Sequence, residues 1–380
     1  MWRPLSIGAL FAGVWLTVLI AAPDDTTTVN GLIDLVRSSM AQKKSDKALA
    51  RSVHKLTLSR RLDLRTMEEL ESEGAGPETL GALEFLYEKF ASRPASTDTP
   101  PFKMPARPSV DQQRSIFHEI DLNAIHYTRS LPNFICTEVV HRYRYVEPRR
   151  TLPTRGMTRG PIRGQIDDDL SGAGSWTPFD VLTVKLSYFE NREKYELTLV
   201  NGRQTRATYE STGGAISEGD FGSVMLEIFS PDSGTKFQWD HWTHLRKRLT
   251  RVYSYYTAKE RSHYRIGVGE HPGDRNIVIA GRRGFVYADA ATSMVMRITG
   301  EAESIPVDFP VLAQSSILDY DYGDVGGKQF LLPLRVQNQM KTARIYFKNV
   351  AEFKEYRKFT GESSISFDSP DSAPREKPQP

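Results

Sequence analysis

Apolar residues recur at i, i+3, i+4, i+7 and i+11 through Val29, Leu32, Ile33, Val36 and Met40, the spacing that keeps one stripe of a 3.6-residue helix out of water. The period continues to Phe90. Leu49, Val53 and Leu56 mark a second helix, and Thr66 with Glu69 three residues on predicts a capping box opening a third. Pro77 opens a fourth, which carries Leu80, Leu83, Leu86 and Phe90. A helical module over residues 25–92 follows from this pattern.

Five prolines between residues 93 and 108 predict an extended linker. Ile116, Ile120, Ile125 and Tyr127 then sketch a helix over 110–130 that Pro132 stops, and beyond it the period changes from 3.6 to 2. Leu182, Val184, Leu186 and Tyr188 alternate with polar neighbours, and Tyr195, Leu197 and Leu199 repeat the alternation before Asn201-Gly202, a pair suited to the left-handed residues of a tight hairpin. Further strands are expected at 134–146, 235–240, 248–257, 262–268, 276–288, 293–302, 315–322, 329–338 and 342–353. Phe221, Val224, Met225 and Ile228 place one helix among them, over 217–229. The expected fold class is α+β: a small helical module plus a large curved antiparallel sheet over 109–368, a half-open barrel with one or two covering helices. A Gly- and Pro-rich insertion with five arginines spans 148–178, and residues 369–380 read as a disordered tail.

Residues 5–22 are an uncharged apolar run between Arg3 and the pair Asp24 and Asp25. Positive charge before it and acid after it orient the chain N-in, C-out, so residues 1–24 read as a signal peptide or signal anchor and the expected location is periplasmic or extracellular. Ala22 suits a cleavage site. Ile20 and Pro23 do not, and the run is long enough to anchor the chain in the inner membrane, so both fates stay open. Membrane contact is expected only through residues 5–22, if uncleaved. The lone cysteine, Cys136, rules out an intramolecular disulfide and reads as a small buried hydrophobe, and no cysteine sits at the end of the apolar run to carry a lipid there. Lys and Arg number 50 against 47 Asp and Glu, a net charge of +3, too balanced for a nucleic-acid binder.

Tyr127-Thr128-Arg129-Ser130-Leu131-Pro132-Asn133-Phe134-Ile135-Cys136, Gly219-Asp220-Phe221-Gly222-Ser223 and Tyr356-Arg357-Lys358-Phe359 resemble phrases of an uncharacterised family of exported bacterial proteins, which brings no known activity. The succession from Gly284-Phe285-Val286-Tyr287-Ala288-Asp289 through Met296-Arg297-Ile298 to Phe330-Leu331-Leu332-Pro333 resembles the outer-membrane lipoprotein carrier superfamily. That resemblance implies a half-open barrel around a helix that holds acyl chains or other apolar ligands. The turn Gly74-Ala75-Gly76-Pro77-Glu78-Thr79 resembles the hairpin of helix-hairpin-helix modules, where backbone N–H groups hold a phosphate; Glu78 would set an acid in the anion's place, which favours a plain helix–helix turn.

Trp239-Asp240-His241-Trp242-Thr243-His244 concentrates a carboxylate and two histidines, so Asp240, His241 and His244 are the weak metal candidates. On a strand, a spacing of three puts the two histidines on opposite faces. The run Asp167, Asp168 and Asp169 lacks the alternation of a calcium loop, and the glycines at 267, 269, 273, 326 and 327 miss nucleotide-binding spacings. Arg246, Lys247, Arg248 and Arg251 read as a charged strand edge. No catalytic residue, cofactor or metal is assigned. Phe221, Met225, Trp239 and Trp242 are the ligand-lining candidates. The leading expectation is a non-catalytic, extracytoplasmic binder of a lipid or other apolar ligand in the cell envelope. The alternatives are a scaffold docking an envelope protein through the helical module, and an enzyme using Asp240, His241 and His244.

Overall fold

A computed structural model describes residues 26–96, 104–146, 176–190, 192–212, 222–268, 276–343 and 345–359. The apolar run 5–22, the arginine-rich stretch up to residue 175, Phe221 and the tail 369–380 lie outside the described residues. The described chain falls into two compact units, one ending at Ser96 and the other starting at Met104. No helix among the described residues is long and apolar enough to cross a membrane.

The first unit contains α1 (Val29–Ala41), α2 (Asp46–His54), α3 (Leu64–Glu73) and α4 (Pro77–Lys89). Leu32, Val36, Val53, Leu70, Leu83 and Leu86 are fully buried in one cluster, at about 1.5–3 kcal/mol per large apolar side chain. Leu58 and Leu62, in the connection between α2 and α3, join them, tied down by a bridge from Thr27 to Leu58. Two local expectations need correction. The third helix begins at Leu64 because Asp63, not Thr66, caps it, its carboxylate accepting from the Thr66 N–H and hydroxyl at 2.8 and 2.9 Å. The N-terminus of α4 does bind an anionic group, but the anion is internal: the Asp46 carboxylate accepts from the Glu78 N–H at 2.8 Å, the Thr79 N–H at 3.1 Å and the Thr79 hydroxyl at 2.6 Å. Gly76 is required there, since a Cβ would lie 2.4 Å from the Asp46 carboxyl carbon.

The second unit opens with α5 (Val110–Ser130), whose Ser109 and Gln112 form a reciprocal capping box. Its strands are β1 (Phe134–Val146), β2 (Trp176–Phe189), β3 (Arg192–Val200), β4 (Arg203–Gln204), β5 (Lys236–Leu245), β6 (Arg248–Thr257), β7 (Arg265–Val268), β8 (Asn276–Ile279), β9 (Gly281–Asp289), β10 (Val295–Glu303), β11 (Val311–Val325), β12 (Lys328–Thr342) and β13 (Ile345–Lys358), with α6 (Ser223–Phe229) before β5. Eleven strands make one sheet in the order β4-β3-β2-β1-β13-β12-β11-β10-β9-β6-β5, and neighbours run antiparallel. The end strands β4 and β5 do not pair, so the sheet stays open, as the α+β half-open barrel requires.

Register carries one apolar row across eight strands. Val286 faces Ile298, Ile298 faces Leu318, Leu318 faces Val336, Val336 faces Ala351, Ala351 faces Val140, Val140 faces Leu182 and Leu182 faces Val200. The inner face defined by this row packs against Ile120, Ala124 and Tyr127 of α5 and Met225, Ile228 and Phe229 of α6. Asn201 and Gly202 take φ of 51° and 73° between the paired residues Val200 and Arg203, the left-handed pair their sequence signals.

Three expectations change here. The run 276–288 is two strands: it breaks at Ala280, so that β8 pairs with β7 in a separate two-stranded sheet while β9 joins the large one. Gly281 allows the close pass, because a Cβ there would lie 3.1 Å from the Thr257 carbonyl. The insertion ends earlier than Pro178, which is already paired in β2 opposite Tyr143 at a register shift, a place where the ladder tolerates proline. The helix around Met225 starts at Ser223, capped by Gly222.

Cys136 is 1% exposed on β1, and burial, aided by the Glu138 and Glu193 carboxylates, pushes its thiol far above the ordinary thiol range. A water-soluble maleimide should therefore label the native chain far more slowly than the urea-unfolded chain; equal rates would place Cys136 at the surface. Asp46→Ala should destabilise the first unit by about 2 kcal/mol in urea unfolding followed by helical circular dichroism, since three donors lose a charged acceptor.

Candidate functional site

The Trp239–His244 phrase lies on β5, an edge strand of the large sheet. A register shift between Trp239 and His241 bulges Asp240 out of the ladder, and Asp240 Oδ1 lies 2.6 Å from His241 Nδ1. His241 pairs with Val252 and His244 with Leu249, an odd offset that sets the two rings on opposite faces. The strand thus brings Asp240 and His241 together and keeps His244 apart. No three His, Cys, Asp or Glu side chains converge as metal ligands among the described residues.

The two tryptophans have a different role. Trp239, 5% exposed, meets Trp242 edge-on at 5.2 Å and Tyr253 at 5.4 Å. Trp242 Nε1 donates to the Ala106 carbonyl at 3.1 Å, holding the approach to α5 against β5. Phe117 of α5 contacts Phe237 at 4.7 Å and Tyr253 at 5.3 Å, and Phe229 of α6 stacks on Phe237 at 5.0 Å. Both helices are therefore held to the β5–β6 edge by ring contacts, each worth about 0.5–1.5 kcal/mol beyond its buried area. Met225 lies in the same cluster, 1% exposed.

Beside the apolar row runs a second row on the same face that is polar. Gly300 faces Ser316, Ser316 faces Asn338, Asn338 faces Asn349, Asn349 faces Arg142 and Arg142 faces Asp180. At one end Arg142 donates from Nε and Nη2 to the two Asp180 oxygens at 2.6 and 2.5 Å. At the other end Arg282, fully buried, reaches over Gly300 to donate to Ser316 Oγ at 2.9 Å. Its guanidinium carbon is 4.5 Å from the Tyr264 ring centre, and the Tyr264 hydroxyl donates to Gln314. Burial pushes the Tyr255 phenol up to about 12, although the neighbouring Arg282 cation pulls the other way.

On the outer face Arg297 donates to both Asp319 oxygens at 2.7 and 3.0 Å, and Arg246 adds a bond at 2.9 Å. Burial pushes the Asp319 carboxyl up, but the two guanidiniums more than offset it and hold it below the usual carboxylate range. Arg246 thus departs from the solvated edge its sequence suggests. It and Lys247 form the β5–β6 turn at φ of 48° and 65°, and Arg246 turns inward to the Met296 and Tyr320 carbonyls.

None of Arg282, Ser316, Arg142 and Asp180 emerges from reading the sequence. A signal exists for Arg282, which shares strand parity with Gly284, Val286 and Ala288 and so is a cation on an otherwise apolar face.

No family model matches the chain, and no curated protein matches it. Among solved structures the chain is similar to a domain described as an outer membrane lipoprotein-sorting protein from Vibrio parahaemolyticus, with 10% identity over 67% of this chain and 95% of that one and a TM-score of 0.33. It is similar to a DUF1329 family protein from Desulfovibrio piger, with 9% identity over 65% and 95% and a TM-score of 0.31. A LolA superfamily protein from Nitrosomonas europaea follows, with 9% identity over 64% and 91% and a TM-score of 0.23. The lipoprotein carrier superfamily that the strand succession resembles is thus represented among the similar structures, at scores that carry nothing about what this chain binds.

Proposed function

We propose that this chain is a non-catalytic binding protein for a lipid or other apolar ligand, working outside the cytoplasm in the cell envelope. The observation that carries this reading is the eight-strand apolar row on the inner face of an open sheet, covered by helices. An acyl chain needs a continuous apolar track and an entrance. The row supplies the first. For the second, α5 and α6 rest on the sheet through side chains rather than a backbone ladder, so displacing them breaks no sheet hydrogen bond. In this reading Met225, Trp239 and Trp242 border the entrance. The export-type run at residues 5–22 supports the location. The enzymatic reading has no comparable support, because Asp240 and His241 pair with each other while His244 turns to the other face.

Native mass spectrometry of the full chain purified from an envelope fraction should show a lipid-sized adduct that disappears on delipidation. Binding of hexadecan-1-ol to the delipidated chain should fall at least about tenfold on Leu318→Asp, the cost of setting a charge in the apolar row. A chain that carries no adduct and binds no aliphatic probe would sink the proposal.

A further inference from the structure

Three arginines are buried among the described residues of the sheet, and two of them hold a carboxylate. Arg142 grips Asp180 and Arg297 grips Asp319, each through Nε and Nη2. The third, Arg282, is 2% exposed and its partners among the described residues are neutral: Nη2 donates to the Ser316 hydroxyl, and the Tyr255 phenol lies against the guanidinium. Its Nε and Nη1 are buried and meet no acceptor among the described residues. A guanidinium does not lose its proton in a protein, so this is a permanent charge in a dry place with donors to spare. The nearby acid, Glu227, acts on Arg282 through space without a hydrogen bond to it, its Oε1 accepting from the Ser262 hydroxyl at 3.3 Å and the His263 N–H at 3.0 Å. Among the described residues an aspartate is bonded to Arg142 and to Arg297, and no carboxylate is bonded to Arg282.

The backbone makes room for that charge. A Cβ on Gly300 would lie 2.3 Å from Arg282 Nε, so the guanidinium lies across a strand that must carry glycine at this point. Gly300 and Ser316 are each two residues from Ile298 and Leu318 on the same strands, which sets the cation at the margin of the apolar row. An apolar track beside a buried cation with unused donors matches an amphiphile with an anionic head.

We propose that Arg282 binds the headgroup of a single-chain anionic amphiphile, its spare N–H groups donating to a carboxylate or phosphate oxygen while the acyl chain lies along the Ile298–Leu318–Val336 stretch of the row. This rests on the proposed binding of apolar ligands and narrows it to one class.

The test is calorimetric titration of the delipidated full chain with hexadecanoate, hexadecyl phosphate, hexadecan-1-ol, acetate and inorganic phosphate. Both anionic amphiphiles should bind at least tenfold tighter than the alcohol, while acetate and inorganic phosphate, lacking a chain, should bind far more weakly. The two amphiphiles, compared with each other, identify which head the site takes. Arg282→Met should reduce the anionic amphiphiles to the alcohol's affinity and leave the alcohol unchanged, and Gly300→Ala, which displaces the guanidinium, should do the same with Arg282 in place. Unliganded Arg282→Met should melt no lower than the parent, because it removes a buried charge to which no carboxylate among the described residues is bonded. A lower melting temperature or failure to fold would mark a structural arginine and overturn the assignment, as would a preference for anions that survives either substitution. Equal affinity for alcohol and acid in the parent chain would overturn this inference while leaving the binding function standing. Failure to bind any of the three amphiphiles would remove both.

Discussion

Strand register is the constraint on which the second unit depends. Side chains alternate faces along a strand, so a slip of one residue in any ladder would exchange its inner and outer sets. The chain of pairs from Val286 to Val200 holds only if seven consecutive ladders are in step, and each ladder inherits its phase from its neighbour. Bulges adjust that phase locally, as between Arg142 and Tyr143, where Pro178 is accommodated, and between Trp239 and His241, where Asp240 is expelled. The second of these also decides the chemistry of the Trp239–His244 phrase, because it sets which residues of the phrase share a face.

Charge is distributed over the same lattice. Arg297 and Asp319 face each other on the outer face, and Arg142 and Asp180 do so on the inner one. Burying such pairs is costly and stabilises little unless both partners are satisfied, which the paired oxygens achieve here. The Arg246-Lys247 turn shows the same logic at a backbone level. Two non-glycine residues in the left-handed region cost about 1–2 kcal/mol each, and the bonds Arg246 makes to Asp319 and to two carbonyls offset that cost. Arg282 is the exception to this pattern, and its position beside the apolar row gives the exception a chemical meaning.

The first unit solves a smaller version of the same problem. The amide donors at the start of α4 would attract an anion, and the fold fills that place with Asp46 from α2, converting what resembles a phosphate turn into an interhelical clasp.

The sequence by itself determined the elements: helices where apolar residues return every three or four positions, strands where they return every second one, the left-handed hairpin at Asn201-Gly202 and the end of α5 before Pro132. These are local properties, set by backbone sterics and by which stripe of side chains avoids water, and they are complete within a dozen residues. Only the tertiary structure decided who meets whom. That β1 lies between β2 and β13, that the run 276–288 divides at Ala280 between two sheets, that Asp63 rather than Thr66 caps α3, and that, among the described residues, one buried arginine of three has no carboxylate bonded to it all depend on partners distant in the chain or on competition between neighbouring caps. A periodicity records that a residue is buried; it holds no record of the atom buried against it.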